Sequence, residues 1–141
     1  AGGKGWLEDP IYAAIREANM QDHVHFIGFA DEQDLPALYT YAACTAFVSL
    51  YEGFGLPILE SMGCDTPVVT SQVSSLPEVA GDAALMVDPY NTDAVADAIL
   101  RILEDNALRQ TLIERGRARV QQFRWDNAAR QLVALYQQVL E

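Results

Sequence analysis

Lysine is almost missing from this sequence. Lys4 is the only one in 141 residues, and the positive side chains as a whole number 9 against 20 acidic ones, for a formal net charge of −11. A chain this acidic makes a poor partner for nucleic acid, whose phosphate backbone is bound through lysine and arginine. Cysteine is equally scarce: Cys44 and Cys64 lack CxxC spacing and lie in apolar or helical surroundings. They read as free thiols of a reducing cytoplasm, and the sequence contains no Asn-x-Ser/Thr acceptor. Long apolar runs are absent, since none approaches the 18 residues of a membrane span, and Ala1–Gly5 has no apolar core of a signal peptide. The expected location is the cytoplasm. The two histidines, His23 and His25, share one strand face but have no third ligand at suitable spacing. No Asp-x-Asp pair offers a divalent cation an anchor.

The residues present describe a globular domain. Half of them are hydrophobic, too many for a disordered chain, and a domain of this length buries roughly two-thirds of its unfolded surface without disulfide support. Charge is unevenly placed. Residues 1–100 hold 15 acids and only Lys4 and Arg16, a net of −13, whereas residues 101–141 hold seven arginines and five acids, a net of +2. Those arginines read mainly as a solvated helical face paired with nearby acids; the lesser reading is peripheral contact with an anionic acceptor or lipid surface. Asp31-Glu32-Gln33-Asp34 reads as a solvated turn with Asp34 as a helix cap.

Periodicity orders the elements. Ala1–Gly5 resembles the end of a strand opening into a glycine turn. A helix follows over about 10–19, with Asp9 as N-cap and Pro10 as its first residue. Val24–Ile27 reads as a short buried strand closed by Gly28, and Asp34-Leu35-Pro36 opens a second helix carrying Leu35, Leu38, Tyr39 and Ala42. Further strands are expected at 46–50, 67–70 and 84–87, separated by a helix from Pro57 and a helical turn at 75–79. Three helices close the chain: one capped by Thr92, one over about 108–123 and one over 126–140. Four short, nearly continuous apolar strands alternating with helices predict a parallel sheet covered on both faces, a doubly wound α/β fold.

The strongest local signal is Glu52-Gly53-Phe54-Gly55-Leu56-Pro57-Ile58-Leu59-Glu60. It leaves the carboxyl end of a strand and enters a helix, the place where open α/β sheets bind ligands. Gly53 and Gly55 permit close backbone approach and positive φ, and the unpaired N–H groups of the helix start can meet an anion. Glu60 lies about one turn, roughly 5 Å, further along, where it is suited to paired sugar hydroxyls; Glu52 could serve a second sugar. On spacing alone, a plain glycine turn with a glutamate favoured by the helix dipole explains the segment equally well.

This segment, together with the run Ser71-Gln72-Val73-Ser74-Ser75-Leu76-Pro77-Glu78-Val79-Ala80-Gly81-Asp82-Ala83-Ala84, resembles the nucleotide-sugar-binding half of retaining glycosyltransferases of the GT-B fold. These form glycosyltransferase family 4, or group 1, which includes bacterial mannosyl- and glucosyltransferases. The likeness covers essentially all of residues 1–141 as a donor-binding domain, with C-terminal helices at 92–141. It implies a Rossmann-like parallel sheet lacking its first strands. It further implies that Glu52 contacts the donor sugar as the catalytic-site carboxylate, and that Gly53, Phe54, Gly55 and Leu56 meet the sugar and diphosphate. Glu60 would hold the ribose, the Phe29 main chain would read the nucleobase, and Trp125 would anchor the last helix. The resemblance implies metal-independent chemistry, with no cofactor beyond the nucleoside diphosphate sugar substrate.

The same resemblance places an Arg and a Lys that neutralise the diphosphate, and an acceptor-binding domain, ahead of Ala1. The 141 residues are therefore expected to bind donor weakly and not to turn over. In the strand order 3-2-1-4-5-6, the four strands here would be the third to sixth. Strand 24–27 is accordingly expected either to pair directly with 46–50 or to leave an edge that drives oligomerisation by strand exchange. A non-catalytic nucleotide-binding or interaction module, and a GT-B nucleotide-sugar epimerase, are the other functions compatible with the pattern.

Overall fold

The computed structural model describes residues 9–140. The expected strand end and glycine turn at 1–5 lie outside them. The chain divides into two compact units, Ala1–Leu35 and Pro36–Glu141.

In the first unit, α1 spans Asp9–Glu17, and Asp9 is already helical, not a cap outside the helix. The expected strand at 24–27 does not form. The N–H groups of His23 and Val24 turn back to the Met20 carbonyl at 3.0 and 3.1 Å, and Phe26 and Ile27 are more than half exposed. Tyr12 and Phe26 pack with ring centroids 4.8 Å apart. An apolar run becomes a strand only where a neighbour takes up its backbone N–H and C=O groups, and among the described residues none does so here.

The second unit carries the sheet. Its elements follow as α2 (Leu35–Tyr41), β1 (Thr45–Phe47), α3 (Leu56–Gly63), β2 (Val68–Ser71), α4 (Leu76–Ala80), β3 (Leu85–Val87), α5 (Thr92–Glu104), α6 (Asn106–Val120) with a 3-10 turn at Gln121–Phe123, and α7 (Trp125–Leu140). The sheet is parallel in the order β1-β2-β3, with Ala46 opposite Val69 and Thr70 opposite Met86. Among the described residues three strands stand where four were expected, and their order agrees with the fourth to sixth positions of the Rossmann arrangement.

β2 shows why the sheet is covered on both faces. All four of its residues are buried, and its alternating side chains serve two cores. Val68 packs with Ile58, Met62, Leu76, Val79 and Ala80, whereas Val69 packs with Val87, Ala98, Ile102 and Leu112. Ile58, Leu76 and Ile102 have no exposed surface, and each such burial contributes about 1.5–3 kcal/mol.

Two caps differ from expectation. The side chain of Asn91, not Thr92, accepts the Ala94 N–H at 3.0 Å, and Asp105 accepts the Leu108 N–H at 2.9 Å. The second of these starts α6 two residues earlier than its apolar pattern indicated, because the polar cap precedes the first apolar position. The late arginines are largely engaged across elements. Arg117 makes a bidentate pair with Asp65 at 2.6 and 2.8 Å, Arg115 meets Asp82 at 3.6 Å, and Arg124 meets Asp126 at 3.8 Å. Among the described residues no helix is long and apolar enough to cross a membrane.

Candidate functional site

The Glu52–Leu56 segment runs from the carboxyl side of β1 into α3 and is held by two serines that follow β2. The Glu52 N–H donates to Ser74 Oγ at 3.2 Å, and the Ser74 hydroxyl donates to the Glu52 carbonyl at 2.7 Å. Ser75 Oγ lies 3.0 Å from the Glu52 carbonyl and 2.9 Å from that of Phe54, so its proton is shared between them. Ser74 has φ of +60°, an uncommon conformation for a residue with a Cβ, kept here by the bonds it makes to Glu52. These serines belong to the run that carries the family resemblance, but the sequence reading assigns them no role at the site. Polar side chains in a turn give no local sign of a partner 22 positions away.

Gly55 makes the turn into the helix. It is buried, its φ is +109°, and a Cβ built on it would stand 2.7 Å from Leu76 Cδ2 and 3.4 Å from Ile58 Cδ1. Only glycine fits that backbone against those two core side chains. Gly53 has no such constraint, because a Cβ there would meet nothing within 4 Å. Phe54 packs edge-on against Phe123 with centroids 5.9 Å apart. Phe123 in turn lies beneath the Arg119 guanidinium, whose carbon is 4.9 Å from the ring centroid. Arg119 Nε donates to the Val79 carbonyl at 2.9 Å and another of its nitrogens to the Glu78 carbonyl. The loop is thus tied through aromatic contacts to α6 and α4. Trp125, expected as the aromatic anchor, is the first residue of α7 and is 88% exposed; Phe123 makes the packing contact instead.

The start of α3 offers an anion less than its sequence promised. The helix begins at Leu56, with Pro57 as its second residue. Proline has no N–H, and the Ile58 N–H is already bonded to the Gly55 carbonyl at 3.1 Å. Leu56 therefore supplies the remaining backbone donor of the first three helical residues, with the partial positive charge of the helix behind it.

Glu60 is exposed on α3 and accepts a hydrogen bond on Oε2 from the Tyr39 hydroxyl of α2, 3.0 Å away. Burial, then the hydrogen bond to Glu60 and its charge, push the Tyr39 phenol up to about 12, so it remains an O–H donor throughout the neutral range. Burial also raises the Cys44 thiol, with Arg109 opposing, and both cysteines are free. Glu52 to Leu56 and Glu60 belong to the second unit, whereas Phe29 belongs to the first and is 87% exposed. Among the described residues no group of three or more His, Cys, Asp or Glu side chains gathers as a metal site would require.

A parallel sheet with helices on both faces and a glycine turn leading from β1 into α3 defines a Rossmann-like α/β domain of the GT-B type. Residues 1–119 match the family described as glycosyl transferases group 1, and the chain belongs to that family. It is 41% identical over 136 residues to the O-antigen chain mannosyltransferase B of Escherichia coli, covering 96% of this chain and 36% of that protein. It is 35% identical to the MMP alpha-(1->4)-mannosyltransferase of Mycolicibacterium hassiacum, covering 93% of this chain and 33% of that protein. Among solved structures, the sucrose-phosphate synthase of Thermosynechococcus elongatus superposes with a TM-score of 0.83 at 37% identity, over 99% of this chain and 37% of that one. The chain thus spans about a third of the length of the relatives it matches.

Proposed function

We propose that this chain is the donor-binding part of a retaining hexosyltransferase of mannosyl or glucosyl type. The whole protein moves a hexose from a nucleoside diphosphate sugar to a glycan or lipid acceptor with its anomeric configuration kept. The observation that carries the reading is the Glu52–Leu56 backbone, held by Ser74 and Ser75 and turned by Gly55 into α3, with Glu60 one turn on. In this reading Glu52 orients the sugar at the reacting carbon. The Gly53–Leu56 backbone meets sugar and diphosphate, and the Leu56 N–H with the positive end of α3 stabilises the departing diphosphate. Glu60 accepts hydrogen bonds from the ribose hydroxyls, and the Phe29 main chain meets the base.

The chemistry assigned to the protein is positional and electrostatic and needs no metal. The free thiols of Cys44 and Cys64 suit a reducing cytoplasm. The 141 residues alone are proposed to bind donor without turnover, and copies are proposed to associate through an open sheet edge. Calorimetric titration of UDP-, GDP- and ADP-hexoses into the full-length protein, wild type against Glu60→Ala, tests the site. One of the three is expected to bind and to lose roughly tenfold or more in affinity in the variant, the scale of hydrogen bonds to a charged group. Equal affinity in both proteins contradicts the assignment.

A further inference from the structure

We infer that Tyr39 is a positioning residue for the nucleotide: it acts through Glu60, holding the carboxylate in the orientation that receives a vicinal diol. This rests on the reading of Glu60 as the ribose ligand and adds to it a residue on a different helix.

A glutamate on an exposed helix face has three rotatable bonds, and ordering them when a ligand arrives reduces affinity. The Tyr39 hydroxyl removes much of that freedom in advance by donating to Glu60 Oε2 at 3.0 Å. A carboxylate has about four acceptor positions, so one phenolic O–H leaves room for two sugar hydroxyls.

The tyrosine is itself held. Its carbonyl accepts the Thr66 hydroxyl at 2.6 Å, the Thr66 N–H bonds to the Ser61 carbonyl at 3.0 Å, and Ser61 Oγ donates to Thr45 Oγ1 at 2.8 Å. Ser61 and Thr66 are buried, so the end of α2 is fastened to the end of α3 and to β1 by groups that exchange poorly with water. Packing alone does not account for a tyrosine here, since phenylalanine would supply the same ring. The phenol's raised pKa, caused by burial and then by Glu60, keeps its proton on the bond over the working range.

The test uses the full-length protein and the nucleoside diphosphate that binds best in titration, with its 2′,3′-dideoxyribose analogue as the second ligand. Wild type, Tyr39→Phe, Glu60→Gln and the double variant are compared. Tyr39→Phe is expected to weaken the ribose nucleotide about fivefold, to leave the dideoxy analogue unchanged, and to add nothing in the Glu60→Gln background. Equal weakening of both ligands, an undiminished effect in the Glu60→Gln background, or no effect at all overturns the inference. If Glu60→Gln fails to separate the ribose from the dideoxy ligand, or no nucleotide binds, the reading beneath it fails and the inference with it. A ligand-free readout comes from ultraviolet titration of the tyrosines. The Tyr39 phenol, pushed up to about 12 by burial and by Glu60, should ionise at lower pH in Glu60→Gln, and its contribution should be missing from Tyr39→Phe; a titration curve identical in wild type and Glu60→Gln also overturns it.

Discussion

Replacing Gly55 by alanine should be among the most damaging single-methyl changes available in the second unit. Two costs arise from the geometry. The backbone φ of +109° is one that residues with a Cβ rarely adopt, and the new carbon would lie 2.7 Å from Leu76 Cδ2. Leu76 is fully buried, in a cluster with Ile58, Val79 and Ala80, so it cannot swing into solvent to make room. Strain at such a φ costs about 1–3 kcal/mol, and overpacking a filled core about 1–3 kcal/mol more. Together they give about 3 kcal/mol, or a fall in Tm of about 10 °C for a chain of this size. Thermal and urea unfolding followed by circular dichroism would measure it. Combining Gly55→Ala with Leu76→Ala removes the clashing atom, so the two losses should sum to less than their separate values by about 1–2 kcal/mol. A Gly55→Ala protein that melts within about 2 °C of wild type would refute the reasoning, because neither the backbone nor the Leu76 contact would then constrain the turn.

Gly53→Ala provides the opposite case. A Cβ there meets nothing within 4 Å, so stability should change by no more than about 0.5 kcal/mol. Affinity for a nucleotide sugar should nevertheless fall if the backbone is approached by ligand, and unchanged affinity would remove Gly53 from the site. Asp65 has its pKa lowered, first by the Arg117 hydrogen bond. Its contribution to stability is therefore present above the ordinary aspartate range and is lost as pH falls through the lowered value. Asp65→Asn suits the +60° φ of that position and isolates the charge. The stability gap between wild type and variant should narrow on acidification, and a gap that stays constant with pH contradicts the assignment.

The site was legible where chemistry is written in neighbouring residues. Glu52-Gly53-Phe54-Gly55-Leu56-Pro57 carries its own turn signal, and the apolar run at 67–70 announced a strand buried on both faces because β2 serves two cores. The run at 24–27 looked the same, yet an apolar segment carries no information about whether a neighbouring strand is there to receive its hydrogen bonds. Long-range polar contacts left no trace either. Ser74 and Ser75 read as turn residues, and helical spacing assigned Tyr39 to an apolar face, although its ring edge carries the bond to Glu60. Trp125 was named through the family resemblance, whereas the packing falls to Phe123 two positions earlier, where the 3-10 turn aims its ring at Phe54.

The central claim is that the loop from Glu52 to Leu56, with Glu60, receives a nucleoside diphosphate sugar. A crystal structure of the full-length protein with a bound nucleoside diphosphate tests it most directly. Density is expected for the diphosphate against the Gly53–Leu56 backbone, with the Leu56 N–H on a phosphate oxygen and the ribose hydroxyls on Glu60, the Tyr39 bond still in place. A nucleotide bound with its phosphates away from the start of α3, or with Glu60 facing solvent, would contradict it.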